Sequence, residues 1–267
     1  GSMWGKKASS MSGNISENPG VAAAGPGDPG IRRVLSSIPV GGLTPFTTID
    51  FPGRLAGVFY LQGCAWRCRY CYNSELWPFP PDGIRVPPEK ILRFLESRRG
   101  HLDGIVFSGG EPTAHADVGE WMRAVAASGF ATGLHTNGMF PGRLKEVLPL
   151  CAWVGMDIKA PFEKYEKITG VPGSGEPCRR SLEILIASGI PFECRTTVHP
   201  DLLSETEIVS LAGRIRQMGV TEYHLQIFRP DACPDKDLRG SPGALADITA
   251  NLRTTLSQMF PIFTVRS

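Results

Sequence analysis

Short apolar runs alternate along most of the chain with segments in which apolar residues recur every three or four positions. The runs are rich in β-branched and aromatic residues and favour buried strands, whereas the intervening segments favour amphipathic helices. Six such runs lie at residues 56–62, 104–108, 131–136, 153–158, 192–198 and 222–228. Strands that alternate with helices in this way predict repeated β/α units on a parallel sheet.

The helical spacing is clearest around residues 91–95, 182–186 and 208–218, where apolar side chains share one face. A further helix at 244–259 precedes an apolar run at 262–265, which we interpret as an edge strand. Six β/α units are fewer than the eight of a closed barrel. The pattern therefore predicts an α/β fold built as a partial (β/α)6 barrel, with its chemistry at the C-terminal ends of the strands.

The first 38 residues differ in composition from the rest of the chain. Residues 3–30 are rich in Gly, Ala, Ser, Asn and Pro and contain few large apolar side chains. We therefore expect residues 1–38 to be a disordered tail or linker and residues 39–267 to form one domain. Gly1 and Ser2, which precede Met3, are typical of a cloning scar.

Charge and cysteine content narrow the classes of partner. The chain has 28 basic and 26 acidic residues, a balance that gives no strong signal for nucleic acid or for an anionic membrane. No apolar stretch of 18 residues is present, so we expect no membrane span. Seven cysteines without disulfide-like spacing indicate a reducing compartment, and we expect a cytoplasmic protein.

Cys64, Cys68 and Cys71 follow the first predicted strand in the spacing C-x-x-x-C-x-x-C. Soft thiolates bind zinc or iron-sulfur clusters, and three of them leave one metal position open for chemistry. One alternative is a zinc site completed by a histidine, although no histidine lies within 25 residues of the triple. Another is a noncatalytic electron-transfer centre closed by a distant cysteine. The distant cysteines are Cys151, Cys178, Cys194 and Cys233.

Polar residues follow the later predicted strands, where a purely structural strand would simply turn. After the second strand, Gly109 and Gly110 would let a ligand approach the backbone, and Glu111 would accept hydrogen bonds from a cationic amine. The other candidates at strand ends are Asn137, Asp157, Lys159, Arg195, Thr197 and Gln226. An inward-facing Arg195 needs an anionic partner, which is either a ligand or an internal salt bridge.

These motifs resemble those of the radical S-adenosylmethionine (SAM) enzymes, whose hallmark is this cysteine triple followed by Gly-Gly-Glu at the second strand. The resemblance implies a partial barrel of the radical SAM type that holds one [4Fe–4S] cluster. In that superfamily the cluster's open iron binds SAM, and one electron splits SAM into methionine and a 5′-deoxyadenosyl radical. That radical abstracts a hydrogen atom.

The resemblance also implies a role for each matching position. Cys64, Cys68 and Cys71 would be the cluster ligands, and Tyr70 would lie beside the adenine. The Gly-Gly-Glu motif would receive the methionine amino group, and Asp157 and Lys159 would help to hold its carboxylate, with a monovalent cation near Asp157. The complete set that we assign to cofactor binding is Tyr70, Gly109, Gly110, Glu111, Asn137, Asp157, Lys159, Arg195, Thr197 and Gln226.

Within the superfamily, the chain is most similar to glycyl-radical activating enzymes, and among them to the family that activates the anaerobic ribonucleoside-triphosphate reductase. The likeness covers residues 40–232 and rests mainly on the segments at 48–53, 61–64 and 156–161. It implies abstraction of a glycine hydrogen from a partner reductase, with an electron donor such as flavodoxin or ferredoxin.

Two departures from that family pattern stand out. Tyr72 replaces the histidine that commonly follows the third cysteine, and residues 72–91 lack the additional cysteines of a ferredoxin-like insert. We therefore expect a single cluster. The alternative interpretation keeps the radical chemistry and directs it at another peptide, a nucleoside or a small molecule.

Overall fold

The computed structural model describes residues 27–79, 86–245 and 247–266. In this part of the chain the strands form one sheet in sequence order. They are β1 (Val40–Thr47), β2 (Ala56–Leu61), β3 (Gly104–Gly109), β4 (Ala131–Thr136), β5 (Trp153–Asp157), β6 (Phe192–Val198), β7 (Glu222–Ile227) and β8 (Ile262–Arg266). β1 pairs antiparallel with β2, and the later pairs are parallel. The predicted parallel α/β sheet is confirmed, since β2 to β7 are the six predicted strands.

Helices cover one face of the sheet and bury most of the apolar core against it. They are α1 (Pro29–Ser36), α2 (Pro88–Arg98), α3 (Val118–Ala127), α4 (Pro141–Val147), α5 (Glu166–Thr169), α6 (Gly175–Ser188), α7 (Glu205–Met218), α8 (Lys236–Gly240) and α9 (Ala250–Met259). The helical spacing of their apolar residues explains this burial, as the side chains of Leu182 and Leu211 show. Among the described helices, none has both the length and the apolar character needed to cross a membrane.

A second, smaller apolar cluster lies at the N-terminal ends of β2, β3 and β5. The rings of Phe51 and Trp153 are stacked there, with their centroids 6.0 Å apart. Gly104 makes room for this contact, because a Cβ at that position would lie 2.7 Å from the Phe51 ring. This cluster fills one end of the partial barrel and leaves space at the C-terminal ends of the strands.

The same interior is charged on the side formed by β6, β7 and β8. Arg266 donates hydrogen bonds to both carboxylate oxygens of Glu193, at 2.6 and 2.8 Å. His224 Nε2 lies 3.2 Å from the same carboxylate. Burial alone would raise the pKa of Glu193, but the hydrogen bonds from His224 and Arg266 outweigh it and lower the pKa to about 2. The network ties the last strand to the sheet.

The boundary predicted for the N-terminal tail is wrong for residues 29–38. Residues 29–36 form α1, whose N-terminus is capped by the Asp28 carboxylate. Leu35 and Ile38 are buried in the core, so this segment belongs to the domain. The remainder of the predicted tail, residues 1–26 with the cloning scar, lies outside the described residues.

The sequence predicted one edge strand of the sheet, β8, but not the other, β1. β1 was missed because its glycine pair at Gly41 and Gly42, followed by Pro45, does not read as a strand. Proline is tolerated in edge strands and at bulges, and Pro45 lies in an edge strand at a break in the β1–β2 register. The predicted edge strand near the C-terminus is confirmed as β8, whereas the preceding helix begins at Ala250 rather than at 244.

Replacing Glu193 with glutamine tests the charged interior. At pH 7 we expect the free energy of unfolding to fall by about 3 kcal/mol, because a pKa near 2 instead of 4.5 is worth about 1.4 kcal/mol per unit. A depressed folded-state pKa stabilises the fold above the unfolded value of 4.5, and this stabilisation is lost as the pH falls through about 2. Urea unfolding of both proteins between pH 7 and pH 3 measures the difference.

Glu163→Gln is the matched control, because Glu163 is an exposed carboxylate that pairs with Arg214. It should change the unfolding free energy by well under about 1 kcal/mol. A Glu193→Gln effect that stays constant between pH 5 and pH 3 would contradict the role given to this carboxylate.

Candidate active site

A cavity of about 960 Å³ opens at the C-terminal ends of the parallel strands. Every candidate residue from the sequence lines it, although these residues come from loops spread over most of the domain. Parallel strands explain the convergence, since their carboxyl ends meet at one edge of the sheet. The lining candidates are Cys64, Cys68, Tyr70, Cys71, Gly109, Gly110, Glu111, Asn137, Asp157, Lys159, Arg195, Thr197 and Gln226.

The loop at residues 64–71 carries the three cysteines and is fastened by its backbone. The N–H groups of Arg67 and Arg69 donate to the carbonyl oxygens of Thr169 and Ile168, at 2.9 and 3.1 Å. Both acceptors belong to α5, so the loop lies along this short helix. The positions of the thiols therefore depend on contacts across the sheet.

The three thiols are in a largely dry environment. Cys64 and Cys68 are buried and Cys71 is half-buried. Burial raises the pKa of Cys64 to about 12 and also raises the pKa of Cys68 and Cys71. Asn137 Nδ2 lies 3.9 Å from Cys64 Sγ and points a donor at the sulfur. A metal centre would displace the thiol protons, because metal ligands bind as thiolates.

The positions of the three sulfurs can be compared with the two kinds of metal site. Four thiolates on one zinc lie about 3.8 Å apart, as Zn–S bonds of about 2.3 Å require. Among described groups of three candidate ligands, only Glu193, Glu222 and His224 have ligand atoms all within 4.8 Å of one another. The three cysteine sulfurs therefore do not all lie within 4.8 Å of one another. Three separated thiolates around a shared cavity fit a polynuclear iron-sulfur cluster.

Glu111 joins the ends of β3 and β4. Its Oε1 accepts hydrogen bonds from the N–H and hydroxyl groups of Thr113, at 3.0 and 2.6 Å, and from the Thr136 hydroxyl at 2.7 Å. Its Oε2 accepts from the Asn137 N–H at 2.7 Å. The carboxylate is fully buried, and burial raises its pKa despite these hydrogen bonds. Glu111 is therefore a structural junction, and its predicted contact with an amine stays a prediction.

The two glycines before Glu111 allow the backbone of β3 to touch the cysteine loop. Gly109 has a φ of 103°, in the region that favours glycine. A Cβ at Gly110 would lie 2.3 Å from the carbonyl oxygen of Gly63. The Glu111 N–H donates to that same oxygen at 2.9 Å. The motif thus fixes the residue that immediately precedes the first cysteine.

Asp157 and Lys159 form an ion pair at the end of β5. Asp157 Oδ2 lies 3.4 Å from Lys159 Nζ, and Asp157 Oδ1 lies 2.9 Å from Arg195 Nε. Burial alone would raise the pKa of Asp157, but the charges of Arg195 and Lys159 outweigh it and lower the pKa. Lys159 Nζ also lies 5.6 Å from the centroid of the Tyr70 ring. Of the two partners considered for Arg195, the internal salt bridge is therefore present.

Sequence reasoning missed several residues of the cavity wall. Tyr72 accepts a hydrogen bond from the Arg229 N–H at 2.8 Å, and the Arg229 guanidinium lies 4.8 Å from the Tyr72 ring centroid. No local sequence pattern indicates this contact between positions 157 residues apart. Lining residues not singled out from the sequence include Thr48, Ile49, Asp50, Pro52, Tyr60, Ser108, Val265 and Arg266.

Known proteins resemble this chain over most of its length. The family model for the radical SAM superfamily matches residues 58–225. A Methanocaldococcus jannaschii protein provisionally named as a glycyl-radical enzyme activating enzyme is 30% identical over 76% of this chain and 85% of its own length. The pyruvate formate-lyase-activating enzyme of Clostridium pasteurianum is 31% identical over 65% of this chain and 74% of its own length.

A solved structure supports the fold. Streptococcus suis SuiB bound to S-adenosylmethionine superimposes with a TM-score of 0.57 over 79% of this chain, at 13% sequence identity. This chain spans 49% of the SuiB chain. At that identity the likeness concerns the fold alone.

Replacing Gly110 with alanine tests the contact beneath the cysteine loop. The added Cβ would meet backbone atoms of Gly63, which cannot move as a flexible side chain does. We expect the free energy of unfolding to fall by about 1–3 kcal/mol. We also expect less iron per chain after anaerobic reconstitution, because the loop must shift. Urea unfolding and iron analysis measure the two effects.

Gly142→Ala is the matched control. Gly142 lies in α4, and a Cβ there would meet nothing within 4 Å. The substitution should leave iron content unchanged and should stabilise the fold by up to about 1 kcal/mol. A Gly110→Ala protein with normal stability and a normal iron content would contradict the close contact.

Proposed function

The chain belongs to the radical SAM superfamily, and from this premise we propose that it is a glycyl-radical activating enzyme that abstracts a hydrogen atom from a glycine of a partner protein. The observation that carries the proposal is the convergence of Cys64, Cys68 and Cys71 with the Gly-Gly-Glu and Asp-x-Lys motifs around one cavity. The relatives named as activating enzymes support the same class of substrate.

Different residues at the cavity would bind the cluster and the SAM carboxylate. Cys64, Cys68 and Cys71 would hold a [4Fe–4S] cluster, and the Asn137 amide would donate a hydrogen bond to one of its thiolates. When bound, the cluster supplies the electron that cleaves SAM and so generates the 5′-deoxyadenosyl radical. Lys159 carries a positive charge, which would pair with the methionine carboxylate.

The wall around these groups would orient the ligand and exclude water. Peptide groups at Gly109 and Gly110 line the cavity and would face the methionine amino group, while backbone atoms of Leu61 and Gly63 occupy the space that side chains there would fill. Tyr70 is almost fully buried beside Lys159 and offers an aromatic surface to an adenine. The partner's glycine would have to enter the same cavity, because a primary radical reacts with whatever carbon–hydrogen bond it meets.

We propose the anaerobic ribonucleotide reductase as the partner. The segments at 48–53, 61–64 and 156–161 support this choice by their likeness to its activating family. A relative named as a pyruvate formate-lyase-activating enzyme supports pyruvate formate-lyase as a second candidate partner, so both proteins belong in the test. The free cysteines of the described chain support a reducing compartment, and we propose the cytoplasm with flavodoxin or ferredoxin as electron donor.

One observation favours a second candidate function, namely radical chemistry on another peptide, a nucleoside or a small molecule. Tyr72 stands where activating enzymes of this type commonly have histidine, and with Arg229 it forms part of the cavity wall. That change would alter the surface that the substrate meets. It leaves the cysteines and the SAM-binding motifs untouched.

Electron paramagnetic resonance tests the proposed function. The reconstituted protein is incubated anaerobically with SAM, a reductant and either the anaerobic ribonucleotide reductase or the pyruvate formate-lyase from the source genome. We expect a glycine-centred doublet with the ribonucleotide reductase and release of 5′-deoxyadenosine with or without a partner. Release of 5′-deoxyadenosine with no glycyl signal from either protein would favour the second candidate.

Two cysteine variants control this experiment. Cys64→Ala should lower both signals by at least about 100-fold, because a cluster ligand is lost. Cys151→Ala should keep both, since Cys151 Sγ donates only to the Val147 carbonyl oxygen and does not line the cavity. Equal activity of the two variants would contradict the assigned cluster ligands.

A further inference from the structure

The carboxylate of Asp157 is already paired with positive charges from the protein. Its Oδ1 accepts a hydrogen bond from Arg195 Nε at 2.9 Å, and its Oδ2 lies 3.4 Å from Lys159 Nζ. Asp157 and Arg195 are register partners on β5 and β6, so the backbone itself sets them side by side. The Arg195 side chain is 9% exposed, so the surrounding protein holds it in this contact.

The Arg195 guanidinium lies close to a glycine, a histidine ring and a second carboxylate. Gly155 lies on the neighbouring strand, and a Cβ there would come within 3.0 Å of Arg195 Nη1. His135 Nε2 lies 3.4 Å from Nη1, and the Glu193 carboxylate lies 3.9 Å from it. Burial and the charge of Arg195 lower the pKa of His135 to about 4, so this ring adds no positive charge near pH 7.

This geometry does not fit the monovalent cation expected beside Asp157. Hard cations take several oxygen ligands, whereas the groups gathered around the Asp157 carboxylate are the nitrogens of Arg195 and Lys159. An added cation would lie against two positive charges and would compete for oxygens that already accept hydrogen bonds.

The two carboxylates nearest Arg195 already have arginine partners. Glu193 is paired with Arg266, and Asp157 is paired with Arg195. Lys159 then carries the positive charge that remains, and one carboxylate from a bound amino-acid group would match it.

We propose that the Arg195 guanidinium takes the place of a monovalent cation beside Asp157, so that binding of SAM by this chain does not depend on potassium or sodium ions. Arg195 acts as a positioning residue: it holds the Asp157 carboxylate, which in turn holds the Lys159 ammonium group toward the cavity. The inference rests on the chain being a radical SAM enzyme and is independent of the partner protein.

Cation exchange at constant ionic strength tests this inference. The dissociation constant of SAM is measured by calorimetry on the cluster-loaded protein in tetramethylammonium chloride and in potassium or sodium chloride. We expect less than a two-fold difference among the three salts. A saturable increase in affinity of five-fold or more with potassium or sodium would overturn the proposal.

Three variants separate the role of Arg195 from a purely structural one. Arg195→Met should weaken SAM binding at least ten-fold in tetramethylammonium and recover part of it with potassium, which can enter the vacated space. Arg195→Lys, which keeps the charge, should remain insensitive to potassium. Arg214→Gln is the control, because it removes an exposed arginine that pairs with Glu163 away from the cavity. An Arg195→Met protein that binds SAM as the unmodified chain does, in every salt, would overturn the proposal.

A structural measurement decides the question if Arg195→Met does not fold. Crystals of the unmodified protein grown with thallium(I), an anomalous scatterer of similar size to potassium, should show no thallium beside Asp157. Thallium bound within about 3 Å of an Asp157 oxygen would overturn the inference. Both measurements are made without a partner protein, so failure to form a glycyl radical would leave their outcome unaffected.

Discussion

The buried carboxylate of Glu111 is the interaction on which the candidate site depends. Burying an ionised group is costly unless donors replace its hydration, and this carboxylate accepts four hydrogen bonds from Thr113, Thr136 and Asn137. Its own N–H holds Gly63 beside the first cysteine. One residue therefore fixes the ends of β3 and β4, the start of the cysteine loop and the amide that faces Cys64. Glutamine at this position would place an N–H donor among groups of Thr113, Thr136 and Asn137 that are themselves donors and need an acceptor.

One half of the partial-barrel interior is apolar and the other half is charged. Burying the charged groups costs free energy. Phe51, Val58 and Trp153 fill the part near β2 to β5 with apolar contacts, as in an ordinary core. The part near β6 to β8 instead buries Glu193 and Arg195. Buried ion pairs are seldom more stabilising than apolar side chains of the same volume, so stability does not explain this choice. Fixed charges beside a cavity do explain it, because they orient a charged ligand without further reorganisation.

The sequence predicted those parts of the fold that a local pattern determines. β2 to β7 are mostly buried in the sheet, and their β-branched and aromatic residues mark them in the sequence, even though β6 and β7 also carry charged residues. β1 is a half-exposed edge strand with Pro45, and α1 contributes Leu35 as a buried residue from a Pro- and Gly-rich region, so neither produces such a pattern. The motif residues could be found because their chemistry restricts which residue types can stand there. Their convergence could be predicted because the carboxyl ends of parallel strands meet at one edge of the sheet.

Pairing across the sheet could not be predicted in the same way. The salt bridge between Asp157 and Arg195 depends on the register of β5 and β6, which no local pattern encodes. The open side of the barrel depends likewise on β1 and β8, which occupy opposite ends of the strand order in the described sheet. Residues 48–50 and Arg266 line the cavity from these two sides. A peptide segment entering between them would bring polar backbone groups into a partly dry space, where each needs a partner. Thr197 and Gln226, which we assign to cofactor binding, lie on that wall, and both terminal nitrogens of Arg266 already donate to Glu193.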